Sequence, residues 1–158
     1  MKNYINLFVS LFFIGYIKKA PGTFASAFSI IILYFITSNK FFSINLLLII
    51  FFFILLLSIY LINLFQKQTK THDSKIIVID EFIGIFLIYL FYDKLFIVND
   101  FISCLLIFVL FRFFDILKVF PANIIDKKMI NSFGVILDDI IAAIYTIIIL
   151  YLINKYAF

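Results

Sequence analysis

Long apolar runs alternate with short polar breaks along the chain. Residues 3–17 are apolar but short. Residues 18–23 (KKAPGT) interrupt them, and 24–37 are apolar again. Residues 41–65 form a long apolar run, followed by the most polar stretch, 66–75 (QKQTKTHDSK). Residues 76–92 are apolar except for Asp80 and Glu81, and 93–100 read as a turn region. The run at 101–119 leads into a polar loop at 121–132. The last run, 133–153, has Asp138 and Asp139 near its start. A helix rises about 1.5 Å per residue, so crossing a bilayer takes about 20 residues. The pattern therefore predicts an all-α, small polytopic membrane bundle of four to five transmembrane helices. The two short opening runs predict an N-terminal interfacial or re-entrant helix, since broken backbone at membrane depth must be covered by protein. Residues 1–158 read as a single membrane-embedded domain.

Composition agrees. The chain is 66% hydrophobic and only 14% charged, against roughly half and a quarter for soluble domains. The net charge of +4 does not indicate nucleic acid, because the lysines fall in the breaks between apolar runs. With alternating spans, Lys18, Lys19, Lys67, Lys70, Lys75, Lys118, Lys127 and Lys128 share one side. Lys40, Lys94 and Lys155 take the other. The positive-inside rule puts the first group in the cytoplasm. The single cysteine, Cys104, excludes an internal disulfide and reads as a small apolar helix residue. Lys2 and the run after it mimic a signal peptide. No small-x-small site precedes Lys18, so the segment reads as retained.

The charges inside apolar runs are the candidate chemistry. Each costs about 2.5–3.5 kcal/mol to insert, so several together need a reason. A helix starting near Lys75 would bury Asp80 and Glu81 about 8 Å deep, and one starting near Phe133 would do the same for Asp138 and Asp139. Asp115 lies a similar distance before Pro121, which should end its helix. Three helices would thus bring carboxylates to one level. Gly84, Ala142 and Ala143, four residues further on, would let the helices approach closely. Clustered carboxylates repel unless a cation or protons intervene. Hard oxygen donors with no Cys or His beside them suit Mg²⁺, with Asp80, Glu81, Asp138 and Asp139 as its ligands. Asp115 reads equally as an ion-pair partner of Arg112 and Lys118. Arg112 is the only arginine, and its planar fork suits a phosphate. The Pro-Gly pair in KKAPGT is by itself a plain turn. His72 reads as a solvated loop residue, with Asp73 beside it close enough in sequence to join the site.

KKAPGTFAS, HDSKIIVIDEFIG, and FRFFDILKVFP followed by FGVILDDIIAAIY stand in the order of three blocks. Together they resemble the phosphatidylglycerophosphatase A family over about residues 15–145. The resemblance implies a Mg²⁺-dependent phosphatase domain in the bacterial inner membrane, with its active site on the cytoplasmic face. Its partner would be the phospholipid phosphatidylglycerophosphate, which loses its terminal phosphate to give phosphatidylglycerol. Asp80, Glu81, Asp115, Asp138 and Asp139 match the family's acidic, catalytic positions. Lys19, Thr23, Arg112 and Lys118 match its phosphate-binding ones, and Pro21, Gly22 and Pro121 also fit. The chain departs at Val119, at the Asn131–Ser132 pair, at Ala143 and at His72.

Other phosphatase types lack their residues here: there is no Cys-x5-Arg, no DxDx(T/V) and no histidine pair. The rival reading is a small ion or proton carrier, which would need acids spread through the membrane depth. A third, a scaffold protein, predicts that neutralising the acids leaves function intact.

Overall fold

The computed structural model describes residues 2–71, 74–95 and 99–157, the side chains of Lys2 and Ala157 excepted. His72 and Asp73 lie outside the described residues. Among the described residues every element is helical. The order is α1 (Lys2–Val9), a 3-10 turn (Ile14–Tyr16), α2 (Pro21–Ser38), α3 (Ile44–Thr69), α4 (Ile79–Tyr89), α5 (Tyr92–Leu95), α6 (Asp100–Leu117), α7 (Ala122–Lys128) and α8 (Ser132–Ala157).

Local sequence explains most boundaries. Pro21 opens α2, where its missing N–H costs nothing. Ser43 caps α3 by accepting from the Leu46 N–H, and Asn99 caps α6 by accepting from Phe101 and Ile102. Lys70 and Lys118 end α3 and α6 in the left-handed conformation. Pro21–Ser38, Ile44–Thr69 and Ser132–Tyr156 are long and apolar enough to cross a bilayer. Helix α6 has the length of α2 but includes Asp100, Arg112 and Asp115. Helix α4 has 11 residues, about 16 Å of rise against a core of about 30 Å. Among the described residues three helices are therefore long and apolar enough to cross a bilayer, where the hydropathy pattern suggests four to five.

Helix α4 is the buried centre. Ile83, Gly84, Ile85, Phe86, Ile88 and Tyr89 are all inside, and the helix packs chiefly on α8 and α2. Gly84 makes this possible. A Cβ there would stand 2.7 Å from the Phe111 ring and 3.1 Å from the Asp139 carbonyl oxygen. Ala142 and Ala143 are fully inside as well. Helix α3 is the opposite case: Ile49, Phe52, Phe53, Leu56 and Tyr60 point outward. Such a face suits an apolar surrounding such as lipid tails, because in water each such side chain would forfeit about 1.5–3 kcal/mol of burial.

The apolar run at 76–92 predicted a helix from near Lys75, but α4 starts at Ile79. Ile77 and Val78 are buried without being helical. The reason is a contact from the other end of the chain: the Val78 N–H donates to the Val9 carbonyl at 3.1 Å. Gly15 lies so close to Ile76 that a Cβ would be 2.0 Å from its carbonyl oxygen. Between them Leu11, Phe12 and Phe13 all adopt positive φ, which costs non-glycine residues about 1–2 kcal/mol each. Ser10 holds this turn, its Oγ accepting from the Phe13 N–H and donating to the Asn6 carbonyl.

Candidate active site

Helices α2, α4 and α8 start, and α6 finishes, at one end of the bundle. There they enclose a polar cavity of about 480 Å³. Helix N-termini present unpaired N–H groups and a positive dipole end, which favours carboxylates and phosphates. Asp80 and Glu81 occupy the first turn of α4. Asp138 and Asp139 lie on the second turn of α8 and are buried. Asp115 and Arg112 come from the last turns of α6. The depth of Asp80 and Glu81 therefore comes from the buried, non-helical Ile77 and Val78 leading down to them, not from preceding helix turns.

Asp80, Glu81 and Asp139 each offer an oxygen within 4.8 Å of the others. Arg112 bridges the side of this group. Its Nη1 donates to Asp115 Oδ2 and lies 3.6 Å from Glu81 Oε1. Glu81 Oε1 rests on α2 at Gly22, where a Cβ would stand 2.0 Å away from it. Any side chain at position 22 would occupy the carboxylate's place. Asp138 is turned elsewhere: Lys118 Nζ donates to its Oδ2 at 2.8 Å and also to Asp126 Oδ1. Burial works against the Lys118 charge. The hydrogen bonds to Asp126 and Asp138 outweigh it and hold the ammonium pKa above the ordinary lysine value.

Seven of the residues singled out by sequence thus line one cavity: Asp80, Glu81, Arg112, Asp115, Lys118, Asp138 and Asp139. Lys19 and Thr23 do not line it. Lys19 is exposed, and this segment contributes Ala20, Pro21 and Gly22 instead. Lys75, Asp126, Lys127 and Asn131, none of them in the expected set of site residues, also line it. Asp126 and Lys127 sit on α7, a helix hidden inside what reads as a polar loop.

The charges suit a cation. Among the described residues the cavity holds six carboxylates against four cationic side chains. Glu81 Oε2 is buried with no hydrogen-bond partner among the described residues. A buried unpaired oxygen beside two more carboxylates fits an ion ligand better than a structural acid. All donors are hard oxygens, the set that Mg²⁺ takes.

No solved structure matches the chain closely. A family model described as phosphatidylglycerophosphatase A matches residues 7–154. A phosphatidylglycerophosphatase A of Haemophilus influenzae is 36% identical over 152 residues, covering 96% of this chain and 90% of that one. The Escherichia coli phosphatidylglycerophosphatase A is 29% identical over 136 residues, covering 86% and 75%. With a match that runs through every helix lining the cavity, the chain belongs to the phosphatidylglycerophosphatase A family.

Proposed function

We propose that this enzyme hydrolyses phosphatidylglycerophosphate to phosphatidylglycerol and phosphate, using Mg²⁺ at the cavity floor. The family membership supports the substrate. The observation that carries the site assignment is the convergence of Asp80, Glu81 and Asp139 within 4.8 Å, beside Arg112 and with Glu81 Oε2 unpaired. These three acids would hold the ion, whose charge would neutralise phosphoryl oxygens and polarise a water. Asp138 stands next to them on α8, held by Lys118.

The chain's own groups do the positioning. Arg112 offers its fork to the terminal phosphate while Asp115 and Glu81 fix its orientation. Gly22 leaves the space in which Glu81 sits. Lys118 keeps one positive charge over Asp138, so that an incoming dianion meets less repulsion. In hydrolysis a water oxygen bonds to phosphorus, the ester P–O bond breaks, and the glycerol oxygen leaves with a proton. The apolar outer faces of α3 and its neighbours leave the acyl chains in the bilayer.

The orientation follows from charge. The cavity end carries the breaks holding Lys18, Lys19, Lys67, Lys70, Lys75, Lys127 and Lys128, while Lys40 and Lys94 lie at the far end. The positive-inside rule then supports an active site on the cytoplasmic face of the bacterial inner membrane. The test is phosphate release from phosphatidylglycerophosphate by the purified protein, with Mg²⁺ and after chelation. Release that persists undiminished in chelator, or in Asp139→Asn, counts against the metal assignment. No release at all counts against the activity.

A further inference from the structure

The four cationic side chains that line the cavity among the described residues are not equivalent. Arg112 is committed to Asp115 and Glu81, and Lys118 to Asp126 and Asp138. Lys75 and Lys127 line the same cavity but are exposed, and no ion-pair or hydrogen-bond partner holds either among the described residues. They come from different elements, the segment before α4 and the helix α7. The buried acids and Arg112 make up the deep part of the cavity, so the two free ammonium groups mark its outer part. Ile130, also a lining residue and 61% exposed, adds an apolar surface at that rim.

An anionic ligand with a single phosphate needs only the deep part. A lipid with a terminal monoester and, a three-carbon glycerol away, a phosphodiester brings a second negative centre to the rim. We propose that Lys75 and Lys127 form a second anion subsite that takes the phosphodiester, so that the enzyme selects lipids carrying both phosphates. This deepens the activity proposed above and rests on it. The division of labour is physical. Rim lysines keep hydrated, mobile charges that bind and release a diester readily, whereas the paired deep charges are fixed for the reacting group.

The experiment uses the full chain in mixed micelles: wild type, Lys75→Gln, Lys127→Gln and the double variant. Phosphate release from phosphatidylglycerophosphate gives kcat and KM. Two inhibitors separate the subsites. Short-chain phosphatidylglycerol carries only the diester, and orthophosphate mimics only the monoester. The double variant should raise KM, and the Ki of short-chain phosphatidylglycerol, about tenfold, the scale of two exposed charge contacts. Its kcat and the Ki of orthophosphate should stay near wild type, and Lys75→Arg with Lys127→Arg should keep the wild-type KM. An equal rise in the orthophosphate Ki would put the lysines on the reacting phosphate. Unchanged values throughout would put them off the substrate path. Either result overturns the subsite while leaving the activity standing. A wild type that releases no phosphate fails one step earlier and takes the subsite with it.

Discussion

Gly22→Ala is the sharpest probe of the site, because it should separate activity from stability. The added methyl would lie 2.0 Å from Glu81 Oε1 and 3.1 Å from Arg112 Nη1. Real Cβ contacts essentially never fall below 3.0 Å, so the carboxylate must retreat by about 1 Å. The end of a glutamate side chain can do so at small cost to the fold. Alanine is also the better helix former by about 1 kcal/mol in a helix interior, less at the second position of α2. The melting temperature in detergent should therefore hold or rise slightly. Catalysis cannot absorb the same shift: a displacement of about 1 Å at reacting groups costs on the order of 10²-fold, and an ion ligand must be placed within about 0.2 Å. Phosphate release should fall by about that factor, and the Mg²⁺ concentration for half-maximal rate should increase. Activity within about threefold of wild type would show that Glu81 does not need the space Gly22 leaves. A large fall in melting temperature would show that Gly22 serves packing instead.

Gly84→Ala should behave in the opposite way. Its methyl would meet the Phe111 ring of α6 at 2.7 Å and the Asp139 carbonyl of α8 at 3.1 Å, forcing α4 from both neighbours at a cost of about 1–3 kcal/mol, visible as a lower melting temperature. An unchanged melt would mean that the Phe111 ring and the α4–α8 contact give way freely. Lys118→Met removes the ammonium shared by Asp126 and Asp138. Because that ammonium's pKa is raised on folding, its stabilisation is complete below the ordinary lysine range and fades as pH climbs through the raised value. The gap in melting temperature between wild type and variant should thus stay level at neutral pH and narrow only in strong alkali. A gap that does not change with pH would mean that Lys118 acts by packing alone.

Charge set against hydropathy made much of the cavity legible in the chain. Asp80, Glu81, Arg112, Asp115, Asp138 and Asp139 all interrupt apolar runs, and all line one cavity. Gly84 was readable for the same kind of reason, since a small residue one turn from an acid implies a close helix contact. What stayed hidden depends on contacts between distant segments. Ile76–Ile77–Val78 are apolar in either a helix or a buried extended segment, and only Val9 and Gly15 decide between them. The choice of Lys118 for Asp138, twenty residues away, has no local signal. Gly22 looked like a turn residue, yet what matters is the room it leaves for a side chain from another helix. Lys19 and Thr23 belong to the first block of the resemblance, but the chain turns at Ala20 so that their neighbours line the wall. Helix α7 is short, follows Pro121 and carries Asp126, Lys127 and Lys128 in its last turn, so its loop-like composition masks it.

The bond from Val78 to Val9 joins the two ends of a stretch that includes both α2 and α3. The floor on which α4 begins therefore depends on the first residues of the chain meeting the segment just before that helix. The seat of Asp80 and Glu81 is thus shared between two distant parts of the sequence, and a change at Gly15 would reach those acids without touching them.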